Sequence, residues 1–66
     1  MKPSELFAKG WKPFDVDGDA VLLSPDEAGA MRFVGDKPGV EFPVASVLWK
    51  GEPVSESEFS GMLSAD

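Results

Sequence analysis

The 66 residues include no histidine, no cysteine and no tyrosine, and only six Lys and Arg stand against twelve Asp and Glu. Each shortage closes a line of chemistry. Without cysteine the chain can form no internal disulfide and no thiolate metal site, so hydrophobic packing must carry the fold. Without histidine the seven serines lack the ordinary base of a nucleophilic pair, and no Ser-x-x-Lys spacing replaces it. Gly35-Asp36-Lys37-Pro38-Gly39 lacks the Gly-Lys-Ser/Thr ending of a phosphate-cradling loop. Paired-carboxylate catalysis needs a deep cleft to raise one acid's pKa, which a domain of this size rarely builds. An enzyme is therefore not expected. No apolar run approaches the roughly 20 residues of a membrane span. No signal-type segment follows Met1-Lys2, and a soluble, cytoplasmic protein is expected.

The shortage of basic residues leaves a net charge of −6. Phosphate neutralisation supplies most of the affinity of nucleic-acid-binding proteins, so direct binding to nucleic acid is disfavoured. Adhesion to an anionic membrane is disfavoured for the same reason. A partner with a basic surface is the electrostatic complement.

What is present suffices for one small folded domain over residues 1–66. Hydrophobic residues make up 42% of the chain, with five Phe and two Trp. Ser4 through Gly10 reads as a short helix with Ser4 as its cap, Glu5 in the first turn and Gly10 as the left-handed stop. Phe7 and Trp11, four apart, can share one buried face. Asp17-Gly18 is a two-residue hairpin signal. Folding there sets Val16 opposite Asp19 and Phe14 opposite Val21. Phe14, Val16, Val21 and Leu23 then share one face, with Asp15, Ala20 and Leu22 on the other.

Further on, Pro25 through Gly29 makes the next turn, with Gly29 available for a left-handed residue. Ala30 to Val34 is a third strand with Met31 and Phe33 inward, and 35–39 is another turn. Ser24 and Glu27 also have capping-box spacing, which offers a helix over 25–34 as an alternative to that hairpin. Val40 to Val44 alternates as a strand whose Pro43 marks an edge or a bulge. Val47-Leu48-Trp49 reads as a fifth strand. Ser55 and Glu58 form a capping box ahead of Phe59, Met62 and Leu63 at helical spacing. The expected fold is α+β: a four- to five-stranded antiparallel meander flanked by short N- and C-terminal helices.

One acidic stretch has a second reading. Asp15-Val16-Asp17-Gly18-Asp19, continued to Asp26, resembles an EF-hand calcium loop. Asp15, Asp17 and Asp19 fall on its first, third and fifth positions, Leu22 on the apolar eighth and Asp26 on the twelfth. Trp11 and Phe14 match the apolar positions that precede such loops. The resemblance implies a calcium-binding module, since alternating carboxylates in a tight loop supply several of the oxygens calcium needs. The sequence departs from the pattern at Ala20, where such loops have Gly, at Asp26 in place of Glu, and at Pro13 within the entering helix.

Charge placement points elsewhere. Five acids and no base lie between Asp15 and Glu27, and four acids and no base between Gly51 and Asp66. Turn and helix-start preferences account for Asp17, Asp26, Glu56 and Glu58 singly. They do not account for the lack of a balancing Lys or Arg. Carboxylates can occupy the Arg/Lys groove of a nucleic-acid-binding protein through the bidentate contacts that phosphates use. The leading expectation is thus a non-enzymatic inhibitor or adaptor that meets a basic protein surface. It is similar in size and charge to acidic phage proteins that block host defence complexes, anti-CRISPR proteins among them. Its candidate partner-binding residues are Asp15, Asp17, Asp19, Asp26, Glu27, Glu52, Glu56 and Glu58. To these is added Trp49, the aromatic residue best placed to be an exposed anchor. No catalytic residue, cofactor or resident metal is assigned. A third alternative is an assembly subunit that forms a homo-oligomer through an edge strand or the Trp49 region.

Overall fold

The computed structural model describes residues 2–35 and 39–64. The element order is α1 (Pro3–Ala8), β1 (Lys12–Val16), β2 (Asp19–Leu23), β3 (Ala30–Phe33), β4 (Val40–Phe42), α2 (Val44–Lys50), β5 (Glu52–Pro53) and α3 (Glu56–Ser64). The five strands form one sheet in the order β4-β3-β2-β1-β5, every neighbour antiparallel. This is the α+β sheet with flanking terminal helices that the hydrophobic pattern implies.

The first hairpin sets the register. Asp17 and Gly18 both have positive φ, 53° and 89°, as a type I′ turn requires. Val16 lies opposite Asp19 and Phe14 opposite Val21. Side chains of alternate residues therefore leave β2 on opposite faces, and both faces are covered. On one, Val16, Val21, Leu23, Ala30 and Val47 are buried, with Phe14, Phe42 and Val44 packed around them. On the other, Leu6, Ala20, Leu22, Phe33 and Phe59 are buried, with Phe7, Trp11 and Met31 against them. β2 is central and reads as nearly continuous apolar sequence because it faces a core on both sides.

Helix α1 starts two residues earlier than the Ser4 cap implies. Lys2 is its N-cap, Pro3 takes the position where a missing N–H costs nothing, and Glu5 Oε1 accepts the Lys2 N–H at 3.2 Å. It ends in a Schellman motif. Gly10 adopts φ 96°, its N–H donates to the Phe7 carbonyl, and the Trp11 N–H donates to the Leu6 carbonyl, both at 3.0 Å. That motif turns the chain into β1. At the other end of the molecule the Glu58 N–H donates to Ser55 Oγ at 3.0 Å, and α3 begins as its capping box implies.

The 24–29 segment is a turn, not a helix. Buried Ser24 organises it: its Oγ accepts the N–H groups of Ala28 and Gly29, both at 3.0 Å, and donates to Asp26 Oδ1 at 2.7 Å. Glu27, not Gly29, holds the left-handed conformation, at φ 59°. Of the expected 35–39 turn, Gly35 has φ 60° and residues 36–38 lie outside the described residues.

The largest correction concerns Val47-Leu48-Trp49. These residues are the second half of helix α2, not a strand. Pro43, at the N-cap, ends β4 and starts the helix; the edge role expected of it fits, because β4 is an edge strand. Val44 and Val47, three apart, turn inward onto the sheet, which offsets the poor helix propensity of valine. The fifth strand is instead the two-residue Glu52–Pro53, paired with β1. Helix α2 thus bridges one sheet edge to the other. Among the described residues, no helix is long and apolar enough to cross a membrane.

Candidate protein-interaction surface

At the end of the sheet that carries the first hairpin turn, helix, strand and turn converge. Helix α2 delivers Trp49 and Lys50 there, and Gly51 links them directly to Glu52. Gly51 can be nothing larger, because a Cβ on it would collide with the Val47 carbonyl oxygen and sit 3.2 Å from the Phe14 ring. Register places Glu52 directly opposite Asp15, and Asp15 is paired on its other side with Ala20. Asp15 Oδ1 accepts the Gly18 N–H at 2.8 Å, which fixes the hairpin tip. The tip residue Asp17 meets Lys50 with Nζ and Oδ2 2.6 Å apart, and the pair ties α2 to the hairpin. Asp19, leaving the tip, lies 3.7 Å from Arg32. Both pairs are solvent-exposed, so they orient side chains more than they stabilise the fold.

Trp49 is 85% exposed and its neighbour Leu48 is 56% exposed. Helical geometry explains both: with Val44 and Val47 turned to the sheet, Ala45, Leu48 and Trp49 fall on the outward side. The other aromatic side chains of the described residues are buried or half-buried. Trp49 is the exposed aromatic residue that the sequence singled out, carried on a helix end where a strand end was expected.

The candidate acids do not form one patch. Asp15, Asp17, Asp19 and Glu52 gather at the end just described. Asp26 and Glu27 sit in the turn at the far end of β2, about 13 Å away at a strand's rise per residue. Glu56 and Glu58 begin α3, after the Val54 N–H has bonded to the Pro13 carbonyl near the start of β1. They too belong to the far end, together with Lys12. Asp26 is occupied locally. Hydrogen bonds from the Ser24 hydroxyl and then the Ala28 N–H hold its carboxyl below the ordinary Asp value.

The same geometry bears on the calcium-loop resemblance. Residues 12–23 are two strands and a two-residue turn, so no helix enters the loop. Asp26 is a strand length from Asp17. Among the described residues no group of three or more His, Cys, Asp or Glu is placed to hold a metal ion.

One surface feature has no counterpart in the sequence reading. A groove of about 650 Å³ lies beside β4, lined by Trp11, Met31, Gly39, Glu41 and Pro43 among others. Helix α3 packs mainly on β1 and β2 and reaches β3 through the Phe59–Phe33 ring contact, with no comparable packing on β4. Gly39 adds to the groove, since a Cβ there would lie 2.9 Å from both Met31 and Phe33. The available signal was the short C-terminal helix, too short to span a sheet of this width.

The fold and this surface define a small five-stranded α+β domain with an exposed tryptophan. Searches with family models and against curated proteins and solved structures find no match to the chain.

Proposed function

We propose that this chain is a non-enzymatic protein-interaction module, an inhibitor or adaptor, that docks a basic partner surface through its Trp49 end. The observation that carries the reading is the position of Trp49, 85% exposed and three residues before Glu52, which sits across from Asp15. An exposed indole is suited to guanidinium groups, which stack on aromatic rings and donate bidentate hydrogen bonds to carboxylates. Glu52 and Asp15, whose side chains leave the sheet on the face opposite α2, supply charge at the same end, and Leu48 extends the apolar contact. The partner is a protein with an arginine-bearing surface. A nucleic-acid-binding groove is one such surface, and the net charge of −6 would steer the approach to it.

An oligoarginine peptide serves as the test ligand in calorimetric titration. Its affinity falls steeply with added salt, and Trp49→Ala or the paired reversal of Asp15 and Glu52 to Lys removes it. Reversal of Glu56 and Glu58, at the far end of the sheet, leaves most of the binding in place. If the far-end reversal abolishes binding while Trp49→Ala leaves it intact, this reading is wrong. Self-association through Trp49, seen by light scattering of the chain alone, would favour the assembly role instead.

A further inference from the structure

The two edges of the sheet are not equivalent. β5 is two residues long and includes Pro53, which has no N–H to offer a further strand. β4, at the opposite edge, has no proline within Val40–Phe42 and pairs only with β3 among the described residues. Among the described residues, no second strand pairs with its outward edge. Beside that edge runs the groove lined by Trp11, Met31, Gly39 and Glu41.

The geometry points to β4 as the docking site for an extended partner segment with an apolar–basic–apolar pattern, added as a sixth strand. Register sets the pattern. Glu41, exposed, lies opposite Met31 on the groove side of the sheet. Val40, 61% exposed, and half-buried Phe42 point to the other side. Directly opposed cross-strand side chains interact, so the residue facing Glu41 must be Lys or Arg and its neighbours apolar. A second copy of this chain is a poor occupant. Antiparallel pairing of β4 with itself about its central residue would set Glu41 against Glu41, and both chains carry the same net negative charge. The carboxylate thus disfavours self-pairing in that register and favours a basic strand. Such strand addition is an established mode of peptide capture: backbone bonds supply affinity and alternate side chains supply selectivity. This inference is independent of the Trp49 reading.

Two synthetic peptides test it: Thr-Val-Lys-Val-Lys-Val-Thr and the same sequence with Glu for Lys. Amide shifts of the isotope-labelled chain are followed during each titration. The Lys peptide is expected to move the amides of residues 39–42 saturably, at least about tenfold more tightly than the Glu peptide. Glu41→Lys, an exposed substitution whose fold is checked by circular dichroism, inverts that order, and Trp49→Ala leaves it unchanged. Three results would overturn the proposal. One is no movement at 39–42 with the Lys peptide at roughly 5 mM. Another is equal response to the two peptides. The third is concentration-dependent shifts of the same amides in the unliganded chain, which would make a second copy the occupant.

Discussion

The two faces of the sheet bury similar numbers of residues yet use their aromatic side chains differently. Beneath α1 and α3, Phe59 is wholly buried between Phe7 and Phe33. Its ring meets theirs edge-on, with centroids 5.6 and 6.1 Å apart and planes at 81° and 75°. Beneath α2 the buried residues are aliphatic or alanine, and the helix's own aromatic residue points to solvent. Edge-to-face aromatic pairs add stabilisation beyond their buried area, about 0.5–1.5 kcal/mol each. A chain of 66 residues has little stability to spare, on the order of 5 kcal/mol. The α2 face also packs Phe14 and Phe42, half-buried, against its core, so Trp49 is the aromatic residue set apart from both cores and available to a partner.

The sharpest way to break this contrast is Phe59→Ala. Removing the ring leaves a cavity at the junction of α1, α3 and β3, and a loss of about 3–5 kcal/mol is expected in urea unfolding. A loss below about 1 kcal/mol would mean that the α3 face is not the main core. Gly51→Ala tests the other face. Its Cβ would push against the Val47 carbonyl and the Phe14 ring, forcing α2 away from β5, at a cost of about 1–3 kcal/mol. The same variant should also displace Trp49 relative to Glu52 and weaken oligoarginine binding.

Ser55→Ala removes the hydroxyl that accepts the Glu58 N–H and should cost about 1 kcal/mol, confined to the start of α3. Hydrogen exchange would show that confinement as faster exchange at Glu58 and its neighbours. The smallest effect concerns Asp26, whose turn belongs to neither face. Its carboxyl is held below the unfolded value, chiefly by the Ser24 hydroxyl. Its contribution is therefore complete above about pH 4, the unfolded value, and fades as pH falls through the lower folded value. Asp26→Asn should flatten that acid limb of the stability profile. If wild type and variant lose stability in parallel below pH 4, the Ser24–Asp26 bond contributes nothing measurable.

How much of this was legible in the sequence follows from the range of the interactions involved. Local signals were sufficient where the chain folds on itself: Asp17-Gly18 fixed the hairpin, Gly10 the end of α1, and Ser55 with Glu58 the start of α3. They misled where tertiary packing decides. Val47-Leu48-Trp49 has strand-like composition, yet docking of Val44 and Val47 on the sheet makes it helical. The spacing of those two valines after Pro43 was the cue that outweighed composition. Ser24 has the spacing of a helix cap and does cap backbone N–H groups, but those of a turn, because Ala30 is drawn into pairing with Leu23. At the candidate site, Trp49 could be singled out from sequence. The separation of Asp17 from Asp26 and Glu27 follows from the two turns that flank β2, whereas the place of Glu52 depends on the long-range pairing of β5 with β1.

The most direct test follows the two indole N–H signals during titration with an oligoarginine peptide. Trp49, exposed at the end of α2, should shift saturably and lose the effect at high salt, while half-buried Trp11 stays in place. An unmoved Trp49 signal, or movement of Trp11 alone, would contradict the assignment of the α2 end as the surface this protein offers to a partner.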